Sequence, residues 1–90
     1  MALAPWSVPR LWRLARLDFD SVRQQQVLLY PEGAVLLNAT GAAILELCDG
    51  RRSVEAIAKI LEERYQCNDL LADVTEYLSA LFDRELIRDA

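Results

Sequence analysis

The stretch from Gln25 to Leu37, QQVLLYPEGAVLL, limits the fold more than any other part of this 90-residue chain. Two short apolar runs flank Tyr30-Pro31-Glu32-Gly33. Proline presets φ at the second position of a reverse turn and glycine is favoured at the fourth, the pattern of a type I turn. The spacing therefore predicts a hairpin of two strands, Gln25–Tyr30 and Ala34–Leu37. Upstream, Arg16-Leu-Asp-Phe-Asp20 alternates, with Leu17 and Phe19 on one face, and predicts a strand that precedes the pair.

After the hairpin the period changes to helical. Asn38 is suited to cap a helix, with Thr40 as the competing cap. Ala42, Ala43, Ile44, Leu45, Leu47 and Cys48 make that helix apolar almost all round, which places it at the centre of the core. Gly41 is a weak helix former, so the helix is expected to begin near Ala42 and to end at Asp49-Gly50, with Gly50 suited to a left-handed cap. Ser53 caps a second helix whose apolar stripe is Val54, Ile57, Ala58, Leu61 and Tyr65. A polar turn over 66–69, with Asn68 or Asp69 as cap, leads to a third helix with Leu70, Val74, Tyr77, Leu78, Leu81 and Phe82 on one side. Leu86-Ile87 is expected to add a last strand or to pack beside the sheet. The expected fold is α+β and winged-helix-like: a three-stranded antiparallel sheet followed by a three-helix bundle. Residues 1–14 are expected to form an N-terminal arm and 15–90 the domain.

Composition narrows what such a fold can do. Ninety residues make one domain, and a chain this size hides only about 60–65% of its unfolded surface. An apolar share of 53% and a charged share of 27% exclude a disordered tail. No apolar run reaches the roughly 18 residues a membrane helix needs. The start is apolar, but Pro5 and Pro9 interrupt it and no basic segment leads it, so it does not fit a secretory signal, and the expected compartment is the cytoplasm. There are no histidines and two cysteines, Cys48 and Cys67, without a CxxC pair. No catalytic residue, metal site or cofactor is expected. The net charge of −4 is uneven: residues 1–52 carry +1 and residues 53–90 carry −5. Asp69, Asp73, Glu76 and Asp83 on the third helix would repel phosphate, which argues against nucleic acid. Trp6, Leu11 and Trp12 either pack on their own domain or cover a second copy of the chain or another protein.

Peptide recognition is the activity left. An edge strand presents unpaired N–H and C=O groups to which an extended peptide can add. If Ala34–Leu37 is such an edge with the third helix beside it, the gap between them is a groove. A proline at Val35 is then expected to weaken peptide binding more than folding.

Several segments together resemble one family. Tyr30-Pro-Glu-Gly33, Leu37-Asn-Ala-Thr-Gly-Ala-Ala-Ile-Leu45, Cys48-Asp-Gly50, Ser53-Val-Glu-Ala-Ile57, Tyr65 and the Asp73-Val74, Tyr77-Leu78, Leu81 series are similar to the coenzyme PQQ biosynthesis protein D (PqqD) family, over roughly residues 15–88. The resemblance implies a non-enzymatic chaperone that binds the precursor peptide PqqA and presents it to the radical S-adenosylmethionine enzyme PqqE. It also implies a peptide site along the third strand and third helix, here Ala34, Val35, Leu36 and Leu37 with Leu71, Val74, Tyr77 and Leu78. The family usually has glycine before the final apolar pair, where this chain has Glu85, so the last helix is expected to end differently. The alternatives are a leader-binding protein of another ribosomal peptide pathway or, from a different class, a winged-helix DNA-binding regulator. A homodimer through the arm is a further expected partner arrangement.

Overall fold

A computed structural model describes residues 3–90. The elements are β1 (Pro9–Leu11), β2 (Arg16–Asp20), β3 (Gln25–Tyr30), β4 (Gly33–Leu37), α1 (Ala39–Glu46), α2 (Val54–Tyr65), α3 (Leu71–Asp83) and β5 (Ile87–Asp89). Strands β2, β3 and β4 form an antiparallel sheet in that order, and three helices follow, as expected for the α+β class. A second antiparallel ribbon joins β1 to β5, with Leu11 opposite Ile87. The β3–β4 hairpin pairs Tyr30 with Gly33 across Pro31-Glu32, and neither turn residue takes a positive φ, in keeping with a type I turn. The β2–β3 turn is closed by Asp20, whose Oδ1 accepts the N–H groups of Val22 and Arg23 at 3.0 and 3.1 Å.

Alternation along the strands puts Leu17, Leu28, Val35 and Leu37 on the inner face of the sheet, where Leu28 and Leu37 are buried. α1 lies beneath that face with Ala42, Ala43, Ile44 and Leu45 all buried, the central place its composition implied. Asn38 caps it, accepting the Gly41 N–H at 2.7 Å. The helix starts at Ala39, three residues before the expected Ala42, and stops at Glu46, short of Gly50. Gly41 is therefore inside the first turn, and its lack of a side chain has a packing reason. A Cβ there would lie 2.5 Å from the Tyr77 hydroxyl of α3. Gly50 does take a left-handed φ of 77°, but it ends the loop after the helix and donates its N–H to Pro9 O at 3.0 Å.

α2 is capped by Ser53, whose Oγ accepts the Ala56 N–H at 3.1 Å. Val54, Ile57, Ala58 and Leu61 are buried, whereas Tyr65, expected on the same stripe, is 46% exposed because the helix runs past the body at its last residue. Neither Asn68 nor Asp69 caps α3. Asp69 takes a φ of 64°, and the Leu70 N–H is met instead by the Glu62 carboxylate of α2 at 3.0 Å. At the other end of α3, Glu85 adopts the left-handed conformation (φ 63°) that a glycine would favour. Its N–H bonds Phe82 O at 2.9 Å and the Leu86 N–H bonds Leu81 O at 3.0 Å, a complete Schellman ending. The helix thus ends as a glycine would end it, and Leu86 is buried against the core.

The first residues are stitched to this body. Leu3 is buried, and its N–H bonds Ser79 Oγ of α3 at 3.1 Å. Pro5 O and Ser7 O accept the N–H groups of Glu55 and Val54 at 2.9 and 2.8 Å, so the segment satisfies the start of α2. Trp12 packs half-buried against the core, while Trp6 is 79% exposed.

Candidate functional site

The sheet has two outer strands, β2 and β4, and each leaves part of its backbone unpaired. A two-residue turn makes Tyr30–Gly33 a hydrogen-bonded pair, and antiparallel pairing alternates from there. Val35 and Leu37 therefore face β3 with their N–H groups, while Ala34 and Leu36 turn theirs to the open edge. The register thus corrects the expectation for Val35: a proline there would break the hairpin, and the free edge is tested at Ala34 or Leu36. The same alternation on the other side turns Leu17 and Phe19 outward on β2. It is borne out by Phe19, whose N–H is met by the Asp18 carboxylate at 2.8 Å.

Two contacts tie α3 to the elements that flank β4 in the chain, α1 and β3. The Tyr77 hydroxyl rests over Gly41, just beyond the Leu37 end. Near the Gly33 end, Arg84 Nη2 donates to the Tyr30 hydroxyl at 3.0 Å, and the guanidinium lies 5.9 Å from the Tyr30 ring centre. Between the ties, α3 packs chiefly on α2 and β5, and β4 on β3 and α1. Helical spacing from Tyr77 and Arg84 places Asp73 and Ala80 on the same flank. That flank runs from a carboxylate at one end to a guanidinium at the other.

The structure distributes the expected site residues among different places. Ala34 and Leu36 are exposed on the edge, Leu36 at 48%. Val35 is half-buried and Leu37 buried, both toward the core. Of the helix residues, Tyr77 is half-buried with its hydroxyl over Gly41 of α1. Val74 and Leu78 are 2% and 0% exposed and sit in the core, and Leu71 is half-buried at the helix start beside Asp69 and Ala72. Sequence reasoning did not foresee the bond between Tyr30 and Arg84. The repeat at 73, 77, 80 and 84 was visible as one helical flank, but nothing in it said that Arg84 would reach Tyr30 or Tyr77 reach Gly41.

Titration behaviour follows burial. Desolvation, with the nearby Asp49 charge, pushes the Cys48 thiol up to about 12, so it stays protonated, and its Sγ donates to Ile44 O at 3.4 Å. Burial, and secondarily Cys48, also raises the Tyr77 hydroxyl above its usual value, so it is neutral where it touches Gly41. Cys67 is exposed. Among the described residues no group of three His, Cys, Asp or Glu side chains is placed to hold a metal, and no helix is long and apolar enough to cross a membrane.

The family of coenzyme PQQ synthesis protein D (PqqD) matches residues 25–87. A PqqA binding protein of Methylococcus capsulatus is 39% identical over 89 residues, 99% of this chain and 96% of its own length. The bifunctional coenzyme PQQ synthesis protein C/D of Methylorubrum extorquens is 40% identical over 89% of this chain, which spans 22% of that protein. Among solved structures, the PqqD truncation of Methylobacterium extorquens PqqCD, described as a stand-alone recognition element for ribosomally synthesised, modified peptides, superposes with a TM-score of 0.84 at 38% identity and covers 97% of this chain and 95% of its own. PqqD from Xanthomonas campestris gives 0.60 at 31% identity, covering 96% and 98%.

Proposed function

The chain belongs to the PqqD family, and from that premise we propose that it binds the precursor peptide PqqA on the β4 edge and presents it to the radical S-adenosylmethionine enzyme PqqE. The observation that carries this reading is the pair of outward N–H groups at Ala34 and Leu36, open beside the Tyr77–Arg84 flank of α3. An extended peptide adds there as a fourth strand. Main-chain hydrogen bonds supply affinity, and contacts to the helix flank choose the side chains. Held so, the peptide meets the enzyme at a raised effective concentration, and the carrier contributes position only. A non-enzymatic role is supported by Cys48, which is buried and protonated and so no nucleophile.

Presentation to a partner enzyme is supported by the bifunctional C/D relative, in which a matching domain is part of a longer synthesis protein. We read the helix pair α2–α3 beside the hairpin as winged-helix-like and place the protein in the cytoplasm. A homodimer built on the first residues would have Trp6 and Leu14 as its large exposed apolar groups.

The test is a titration of synthetic PqqA peptide into isotope-labelled protein, followed by backbone amide shifts. Shifts concentrated at 33–37 and along 73–84 are expected. Unchanged spectra at high micromolar peptide would overturn the reading.

A further inference from the structure

Beside the turn that leads into the Gly33 end of β4 lies a cleft of about 280 Å³ walled by Trp12, Tyr30, Glu32, Arg84, Glu85 and Arg88. Four parts of the chain meet there: the segment after β1, the β3–β4 turn, the end of α3 and β5. Both cations are held in place by aromatic rings. Arg84 is fixed by the Tyr30 ring and hydroxyl, and the Arg88 guanidinium lies 5.8 Å from the Trp12 ring centre. The Trp12 backbone is itself anchored, its N–H bonding Leu86 O at 2.9 Å. Among the described residues neither arginine makes an ion pair. Glu32 and Glu85 are exposed at the cleft mouth, while each guanidinium has an aromatic ring beside it. Glu85 also sits at a left-handed φ of 63°, a backbone conformation that favours glycine, at the cleft wall.

We propose that this cleft is an acidic-residue subsite: it takes an Asp or Glu side chain of the peptide where the added strand leaves the Gly33 end of β4. The inference rests on the strand-addition reading above. A guanidinium fork matches a carboxylate with two donors, and ring stacking removes part of the ordering cost. The cleft thus fixes the register of the peptide. Backbone pairing alone leaves register free, because main-chain groups repeat along any extended segment.

The experiment uses the full chain with Trp6→Phe, so that Trp12 fluorescence reports the cleft. Two probes are titrated: synthetic PqqA peptide, and the same peptide with every Asp and Glu changed to Asn and Gln. The amidated peptide is expected to bind about tenfold more weakly, which tests the cleft without altering the protein. Arg88→Gln should weaken the acidic peptide by a similar factor and leave the amidated one unchanged, and Arg84→Gln should weaken the acidic peptide more than the amidated one. Glu85→Gln should tighten the acidic peptide two- to threefold by removing a competing carboxylate. If the wild-type chain binds the two peptides equally, or the arginine variants lose both alike, the subsite is overturned and strand addition stands. If wild type binds neither peptide, the strand-addition reading fails and the subsite falls with it.

Discussion

The two edges of the sheet differ in how they treat the same exposed backbone. β2 carries Arg16, Asp18 and Asp20. Asp18 covers the outward Phe19 N–H at 2.8 Å and faces Arg16 at 3.8 Å. β4 reads Gly-Ala-Val-Leu-Leu, without a charge, and among the described residues no side chain meets the N–H of Ala34 or Leu36. Charged residues on an edge are the usual guard against unwanted strand pairing. One edge of this molecule is guarded by charge, with the Leu17 N–H alone turned outward and uncovered, and the other carries no such guard. The contrast says where a peptide strand can add, and it can be broken by experiment.

The largest effect is expected from Leu36→Pro. It removes an outward N–H and leaves a peptide carbonyl unmet, which together cost about 3 kcal/mol, a hundredfold or more in affinity. Phe19→Pro on β2 should leave affinity unchanged. Calorimetric titration with PqqA peptide, with circular dichroism as the folding control, decides it, and equal losses at both edges would erase the distinction.

Next comes pH, because the β4 side of the core holds the buried acids. Folding raises the Cys48 thiol from near 9 to about 12, so the folded state holds its proton longer than the unfolded one. That stabilisation is complete below pH 9 and is lost as pH rises from 9 toward 12, on the order of 2–3 kcal/mol by pH 11. The raised Tyr77 hydroxyl adds in the same direction above its usual value. Urea unfolding at pH 7 and pH 11 measures the fall, and Cys48→Ala should remove most of it.

Gly41→Ala is smaller. The new methyl would meet the Tyr77 hydroxyl at 2.5 Å and turn that ring toward the groove. A loss of about 1 kcal/mol in peptide affinity is expected. Unaltered binding together with an unmoved Tyr77 ring signal would show that the ring does not border the peptide. The smallest change is Glu85→Gly, which relieves a left-handed non-glycine residue and should raise stability by somewhat under 1 kcal/mol. A thermal melt checks its sign.

Much of this was legible in the chain. The strands Arg16–Asp20 and Gln25–Tyr30 and the caps at Asn38 and Ser53 follow from local chemistry: alternation, turn residues and short side chains that reach their own backbone. The misses share a cause in being contacts between distant segments. The α3 N-terminus is met by Glu62 of α2, and β1 forms only because β5 is there to pair with it. Tyr65 keeps helical spacing with buried residues, yet nothing in its own helix reveals that the body ends before it.

The amino-acid sequence by itself determined the strands of the three-stranded sheet, the helices and the lack of histidine chemistry, because periodicity, turn type and composition act over a few residues. Tertiary structure alone decided which apolar residues of α3 became core. Val74, Tyr77 and Leu78 lie on one continuous stripe, and only packing into the shared core buries the first and third. Tyr77 is left against a glycine 36 positions earlier in the chain. A helix's periodicity defines its apolar face, but the position of that face's boundary is set by the neighbours that cover it.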